Sequence, residues 1–161
     1  MPPVGASAPS LLLLGSLPGE ASLAAQRYYA HPQNQFWRLL GAALGEPLAA
    51  IDYEARLERL AVRGVALWDV VGEAVREGSL DSALREVSVT PLGRFVAGQP
   101  QLRAIGFNGQ TAARIGRRVL GSAIELIDLP SSSPAYTLGF AAKAQRWSVL
   151  ANFVEAATLR A

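Results

Sequence analysis

Short uninterrupted apolar runs alternate along this chain with segments whose apolar residues recur every three to four positions. The first run, Leu11 to Leu14, is too short for a helix. It is broken by Gly15 and by Pro18-Gly19, which predicts a buried strand ending in a tight turn. Apolar runs at 65 to 71 (VALWDVV), Leu102 to Phe107 and Ala123 to Leu129 predict three further strands. Helical spacing places Phe36, Leu39, Leu40, Ala43 and Leu44 on one face of a helix near 35 to 45, ended by Gly45 and Pro47. Asp52 caps a helix over 53 to 62, with Leu57, Leu60 and Ala61 inward. Thr90-Pro91 starts another, stopped by Gly98 and Pro100. A helix after Asn108-Gly109 turns Ala112, Ile115, Gly116 and Val119 inward. The last, about 140 to 157, buries Phe140, Ala144, Trp147, Ala151 and Val154.

Strands apolar throughout, separated by helices, predict an α/β three-layer sandwich with a central four-stranded parallel sheet flanked by helices. Residues 1–9 read as a loose lead-in and 10–161 as a single domain. The topology gathers four loops at the carboxyl edge of the sheet: Gly15–Gly19, Trp68–Gly72, Phe107–Gly109 and Pro130–Pro134. In open parallel sheets that edge is where ligands bind.

Composition narrows the chemistry. The 161 residues are half apolar and only 17% charged, which suits one compact core. The absence of cysteine removes disulfides, thiolate zinc sites, iron–sulfur clusters and cysteine nucleophiles, and is compatible with a reducing cytoplasm. A lone His31, with no HExxH and no acidic cluster, argues against a metal site. Neither GxGxxG nor a Walker P-loop is present. A triad of Ser132, His31 and Asp69 lacks the GxSxG elbow. The formal charge of +2, carried almost wholly by arginine beside the single lysine Lys143, permits a nucleic-acid partner. No targeting signal or membrane span is evident in the sequence.

Between the first strand and its helix lies a stretch crowded with side chains that stack or hydrogen-bond: Tyr28, Tyr29, His31, Gln33, Asn34 and Gln35, leading into Phe36-Trp37. From the residues alone, Asn34 reads first as a helix cap, Phe36 and Trp37 as core, and Tyr28 and Tyr29 evenly as core or pocket wall. Ser131, Ser132 and Ser133, between Pro130 and Pro134, form a turn or a set of phosphate contacts. Arg114, Arg117 and Arg118 share a helix face that is most simply solvated.

The loop pair GSLPG (Gly15, Ser16, Leu17, Pro18, Gly19) and LPSSSPA (Leu129 to Ala135), with HPQNQFW between them, resembles the uracil-DNA glycosylase superfamily. QNQFW is similar to the NRFW segment of its mismatch-specific branch, but that branch has a catalytic Asn where this chain has Leu17. The closer resemblance is to the hypoxanthine-DNA glycosylase branch (family six), whose asparagine lies downstream in a YYAHPxNxFW context and corresponds to Asn34. The resemblance implies a monofunctional, cofactor-free enzyme acting as a monomer on DNA that contains a deaminated base, in the cytoplasm and at the nucleoid if the cell is prokaryotic. Asn34 would be catalytic and hold a water. Gly15, Ser16, Leu17, Pro18, Gly19, Tyr29, His31 and Phe36 would bind the base, with Phe36 as the stacking ring. Ser131, Ser132, Ser133, Pro134, Tyr136 and Lys143 would bind DNA. Uracil- or xanthine-directed glycosylases, a non-catalytic DNA-binding module and a nucleoside binder are the alternatives.

Overall fold

The computed structural model describes residues 1–73, 88–121 and 124–157. Its strands are β1 (Val4–Gly5), β2 (Leu11–Gly15), β3 (Val65–Asp69), β4 (Val71–Glu73), β5 (Ser88–Val89), β6 (Ala104–Asn108) and β7 (Glu125–Leu129). Its helices are α1 (Glu20–Ala25), α2 (Phe36–Leu44), α3 (Tyr53–Arg63), α4 (Leu92–Ala97), α5 (Gln110–Leu120) and α6 (Phe140–Trp147). Among the described residues no helix is long and apolar enough to cross a membrane.

The main sheet has five strands in the order β1-β3-β2-β6-β7, and it is mixed. This corrects the expectation of four parallel strands. The four anticipated strands are parallel to one another, while Val4–Gly5 adds an antiparallel edge against Leu67 and Ala66. That edge comes from the segment read as a loose lead-in. The four leucines of β2 occupy the centre, with Leu11 facing Val65 on one side and Ala104 on the other. Covered laterally by strands and on both faces by side chains, they are at most 1% exposed. An unbroken apolar run is what such a position requires.

Helix caps follow the sequence closely. Gly45 and Gly64 close α2 and α3 in the left-handed conformation. The Asp52 carboxylate accepts from the Ala55 N–H at 2.8 Å. α2 packs with α6 and the 3₁₀ turn Ser148–Phe153, and α4 packs on α5.

Elsewhere the chain departs from its periodicity. β3 stops at Asp69, and Val71–Glu73 pairs instead with Ser88–Val89. The last helix ends at Trp147, and the tighter 3₁₀ turn beyond it buries Leu150 while Ala151 stays exposed. α5 buries its small face, Ala112, Ala113 and Gly116, leaving Val119 42% exposed; Ala61 is also exposed. β7 begins at Glu125 and is only partly buried because it is an edge. Ala123 lies outside the described residues. The short α1 was not anticipated.

The chain leaves β2 toward β3 and leaves β6 toward β7, on the other side of β2. The carboxyl ends of β2 and β6 therefore part in mid-sheet, where an open α/β sheet forms its crevice.

Candidate active site

A cleft of about 580 Å³ opens at that point. It is lined by the first loop from Gly15 to Gly19, by Tyr29, His31 and Asn34, by Asp69 and Asn108 at the ends of β3 and β6, and by Ser131 to Ser133. The four predicted loops do converge.

Asn34 stands where two loops meet. Its Oδ1 accepts from the Phe36 N–H at 2.9 Å and from the Ser132 hydroxyl at 2.8 Å. Two donors occupy both lone pairs of an amide oxygen. The backbone N–H fixes the amide orientation, since only an oxygen can face it. Cap and site residue are thus one arrangement: the oxygen secures the start of α2, and Nδ2 is the group left to act as a donor.

Ser132 is 1% exposed and engaged through every polar atom. Its N–H donates to Asn108 Oδ1 and its Oγ accepts from Asn108 Nδ2, both at 2.9 Å. Its carbonyl accepts from the Gln35 N–H at 3.0 Å. Asn108, missed as a site residue, therefore clamps the second loop from the end of β6. Ser132 is not placed to grip a phosphate. Ser131 and Ser133 are half-buried; their oxygens accept from the N–H groups of Ser133 and Ala135.

The ring facing the cleft is Tyr29, not Phe36. Phe36 is fully buried, with Tyr29 stacked on it at a centroid distance of 3.8 Å and an interplanar angle of 7°. Trp37 and Trp147 meet Phe36 edge-on from other sides. Tyr29 reaches this place through a left-handed backbone, φ +55°, which strands and helices do not prepare. Tyr28 is a structural neighbour, its hydroxyl donating to the Pro2 carbonyl at 2.7 Å.

His31 is exposed on the cleft rim. Its Nδ1 accepts from the Gln33 N–H at 3.1 Å, which leaves Nε2 as the nitrogen able to donate. Lys143, expected on the DNA surface, is 1% exposed. Its ammonium donates to Gln35 Oε1 at 2.8 Å and to the Ser133 carbonyl at 3.1 Å, and burial lowers its pKa. Pro134 is exposed beyond the cleft. Tyr136, 46% exposed, lies in a second cleft that shares Ser16, Asn108 and Ser131 with the first and adds Arg114, Arg117 and Arg146. Among the described residues no three metal-ligating side chains cluster.

Asp69, considered from sequence only as part of a triad, is the unexpected member. It is 6% exposed, and burial pushes its carboxyl up to about 6. A Cβ on Gly15 would stand 2.6 Å from Asp69 Oδ1 and 2.8 Å from the Tyr29 hydroxyl, so only glycine lets the strand end and both polar tips close together. Asp69 Oδ2 is buried without a hydrogen-bond partner among the described residues.

The sequence profile of the uracil DNA glycosylase superfamily matches residues 2–153. The chain belongs to that superfamily. Two superfamily relatives are named hypoxanthine DNA glycosylase. The one from Methanosarcina barkeri is 35% identical over 91% of this chain and 93% of its own length. The one from Methanosarcina acetivorans is 41% identical over 78% and 79%. A solution NMR structure from Methanosarcina acetivorans, provisionally described as a uracil DNA glycosylase, superposes with a TM-score of 0.80 at 36% identity, covering 92% of each chain. In this glycosylase fold the Asn34–Ser132–Asn108 chain of hydrogen bonds ties the second loop to the segment leading into α2 and to the end of β6.

Proposed function

We propose that the chain is a monofunctional DNA glycosylase that releases a deaminated base, hypoxanthine first, by hydrolysing its N-glycosidic bond. The observation that carries this reading is the Asn34 amide, held by its oxygen from both sides of the crevice with its nitrogen left to the cleft.

The target nucleotide leaves the stack so that its base enters the cleft. Tyr29, backed by the Phe36 ring, offers a stacking surface that is already ordered. Asn34 Nδ2 donates to the oxygen of the attacking water. A donor positions a water but does not take its proton, so the glycosidic bond breaks first. Its electron pair leaves with the base, which takes up a proton, and the sugar becomes oxocarbenium-like. Water then adds at the anomeric carbon and loses a proton to solvent. In such a route placement matters more than basicity. His31 Nε2–H is available to the departing base. Ser131 and Ser133, with Arg114 and Arg146 of the adjoining cleft, contact flanking phosphates. Tyr136 fills the gap left in the stack.

The test is single-turnover base release from duplexes carrying deoxyinosine, uracil or xanthine, with melting and DNA binding alongside. Asn34→Ala should fold, bind the deoxyinosine duplex and release base about a hundredfold more slowly or worse. Asn34→Ser again offers Phe36 an acceptor but has no amide N–H, and should stay slow. A serine variant nearly as active as the parent would reduce Asn34 to a cap. Faster release of uracil or xanthine than of hypoxanthine would reassign the base.

A further inference from the structure

Asp69 is the buried acid of this cleft. It sits at the carboxyl end of β3, lines the cleft and is 94% buried by complement of its 6% exposure. Yet Oδ2 has no partner among the described residues. Buried polar atoms are ordinarily satisfied, and one that is not calls for a reason. Its partner Oδ1 is pressed toward Gly15 beside the Tyr29 hydroxyl. The carboxylate therefore stands next to the hydroxyl edge of the ring proposed as the stacking surface. An acceptor set at the edge of a flat aromatic platform meets the rim of whatever planar group lies on that platform.

The rim chemistry of purines then discriminates. Hypoxanthine carries a hydrogen on N1, whereas adenine presents a bare lone pair there. The same hydrogen occurs on N3 of uracil. A carboxylate oxygen satisfies an N–H and is left facing another acceptor when adenine enters. A buried group left unpaired costs far more than the bond it would have made contributes.

We propose that Asp69 is the specificity-determining residue of this site, accepting the lactam N–H of the flipped base with its carboxylate and so rejecting adenine. The assignment rests on the glycosylase reading above and names what that reading leaves open, the group that reads the base edge. It requires the ionised carboxylate, so recognition weakens as pH falls through about 6. The ionisable groups facing Asp69 are the Met1 ammonium, which favours its charge, and the hydroxyls of Tyr28 and Tyr29, whose own pKa values burial raises. Both phenols stay neutral through this range, and His31 lies on the same cleft.

The experiment is single-turnover base release against enzyme concentration, on duplexes with deoxyinosine or deoxyadenosine opposite the same base, from pH 5 to 8. Parent, Asp69→Asn and Asp69→Ala are compared, with melting curves for each. In the parent, half-saturation on deoxyinosine should weaken below pH 6. Asp69→Ala should raise it about tenfold to a hundredfold, the strength of a hydrogen bond to a charged group, with the larger part of the loss in half-saturation rather than in plateau rate. Its acid limb should vanish. Asp69→Asn, which keeps the shape and can turn a donor toward adenine N1, should narrow the preference for hypoxanthine over adenine. Unchanged half-saturation and preference with a fallen plateau would overturn the proposal, because Asp69 would then act at the reacting atoms. Losses that track melting temperature across the variants would also overturn it. A parent that releases no hypoxanthine would instead remove the reading on which the proposal rests.

Discussion

A carboxylate shut in beside Gly15 and Tyr29 destabilises the folded chain whenever it is ionised. The folded pKa of Asp69, about 6, lies above its ordinary value of 3.8, so the native state holds the proton more tightly than the unfolded one. Stability from this group is complete below about pH 4 and is lost as pH rises through 6. Asp69→Asn should therefore stabilise the fold at pH 7.5, by on the order of 2–3 kcal/mol in chemical denaturation, and by little at pH 4. Equal gains at both pH values would show that charge is not the cause. At this scale the sequence was only partly readable. Asn34 stood out through its motif, but the split between a bonded oxygen and a free nitrogen needed Ser132, which lies 98 residues away. Asp69 was hidden inside VALWDVV, where its neighbours advertise a strand. Tyr29 and Phe36 were both visible as rings; which one meets the cleft depends on a single left-handed residue that no periodicity encodes.

Among the elements, α6 does more than cover the sheet. It carries Lys143 under the second loop, where the ammonium joins Gln35, at the start of α2, to the Ser133 carbonyl. Trp147, one turn on, donates to the Pro130 carbonyl at 2.9 Å. The loop is thus pinned from below at two points, and Ser132 is pinned from the side by Asn108. Lys143→Met keeps much of the buried volume but leaves two acceptors unpaired, which should cost about 1–3 kcal/mol in chemical denaturation. Base release should fall with it, because Ser132 then orients Asn34 less firmly. The same buried, doubly bonded amine should give no covalent complex with abasic DNA on borohydride treatment; a trapped complex would contradict the placement. The helix itself was legible from Phe140, Ala144 and Trp147. Its end was not, because a 3₁₀ turn continues the same apolar sequence at a different spacing.

For the molecule as a whole, the inner parallel strands could be read because burial on two faces keeps them almost wholly apolar. β1 could not, since two residues held by backbone pairing leave no pattern in side chains. The small strand nonetheless decides how the sheet meets its surroundings. β3 is an entirely buried strand, apolar up to Asp69, and Val4–Gly5 covers the edge that would otherwise present its backbone groups to other chains. On the opposite side, β7 carries exposed Glu125 and Asp128, charges that discourage strand addition. The cover depends on Gly5. Its φ is +95°, and a Cβ there would collide with the Val65 carbonyl oxygen. Gly5→Val should lift β1 away and, at high protein concentration, produce light scattering and β-rich sediment that the parent does not form. A variant that remains monodisperse while β1 exchanges its amide hydrogens freely would show that the edge is protected by other means. Otherwise colloidal stability, a property of many molecules together, hangs on one glycine with no part in the chemistry.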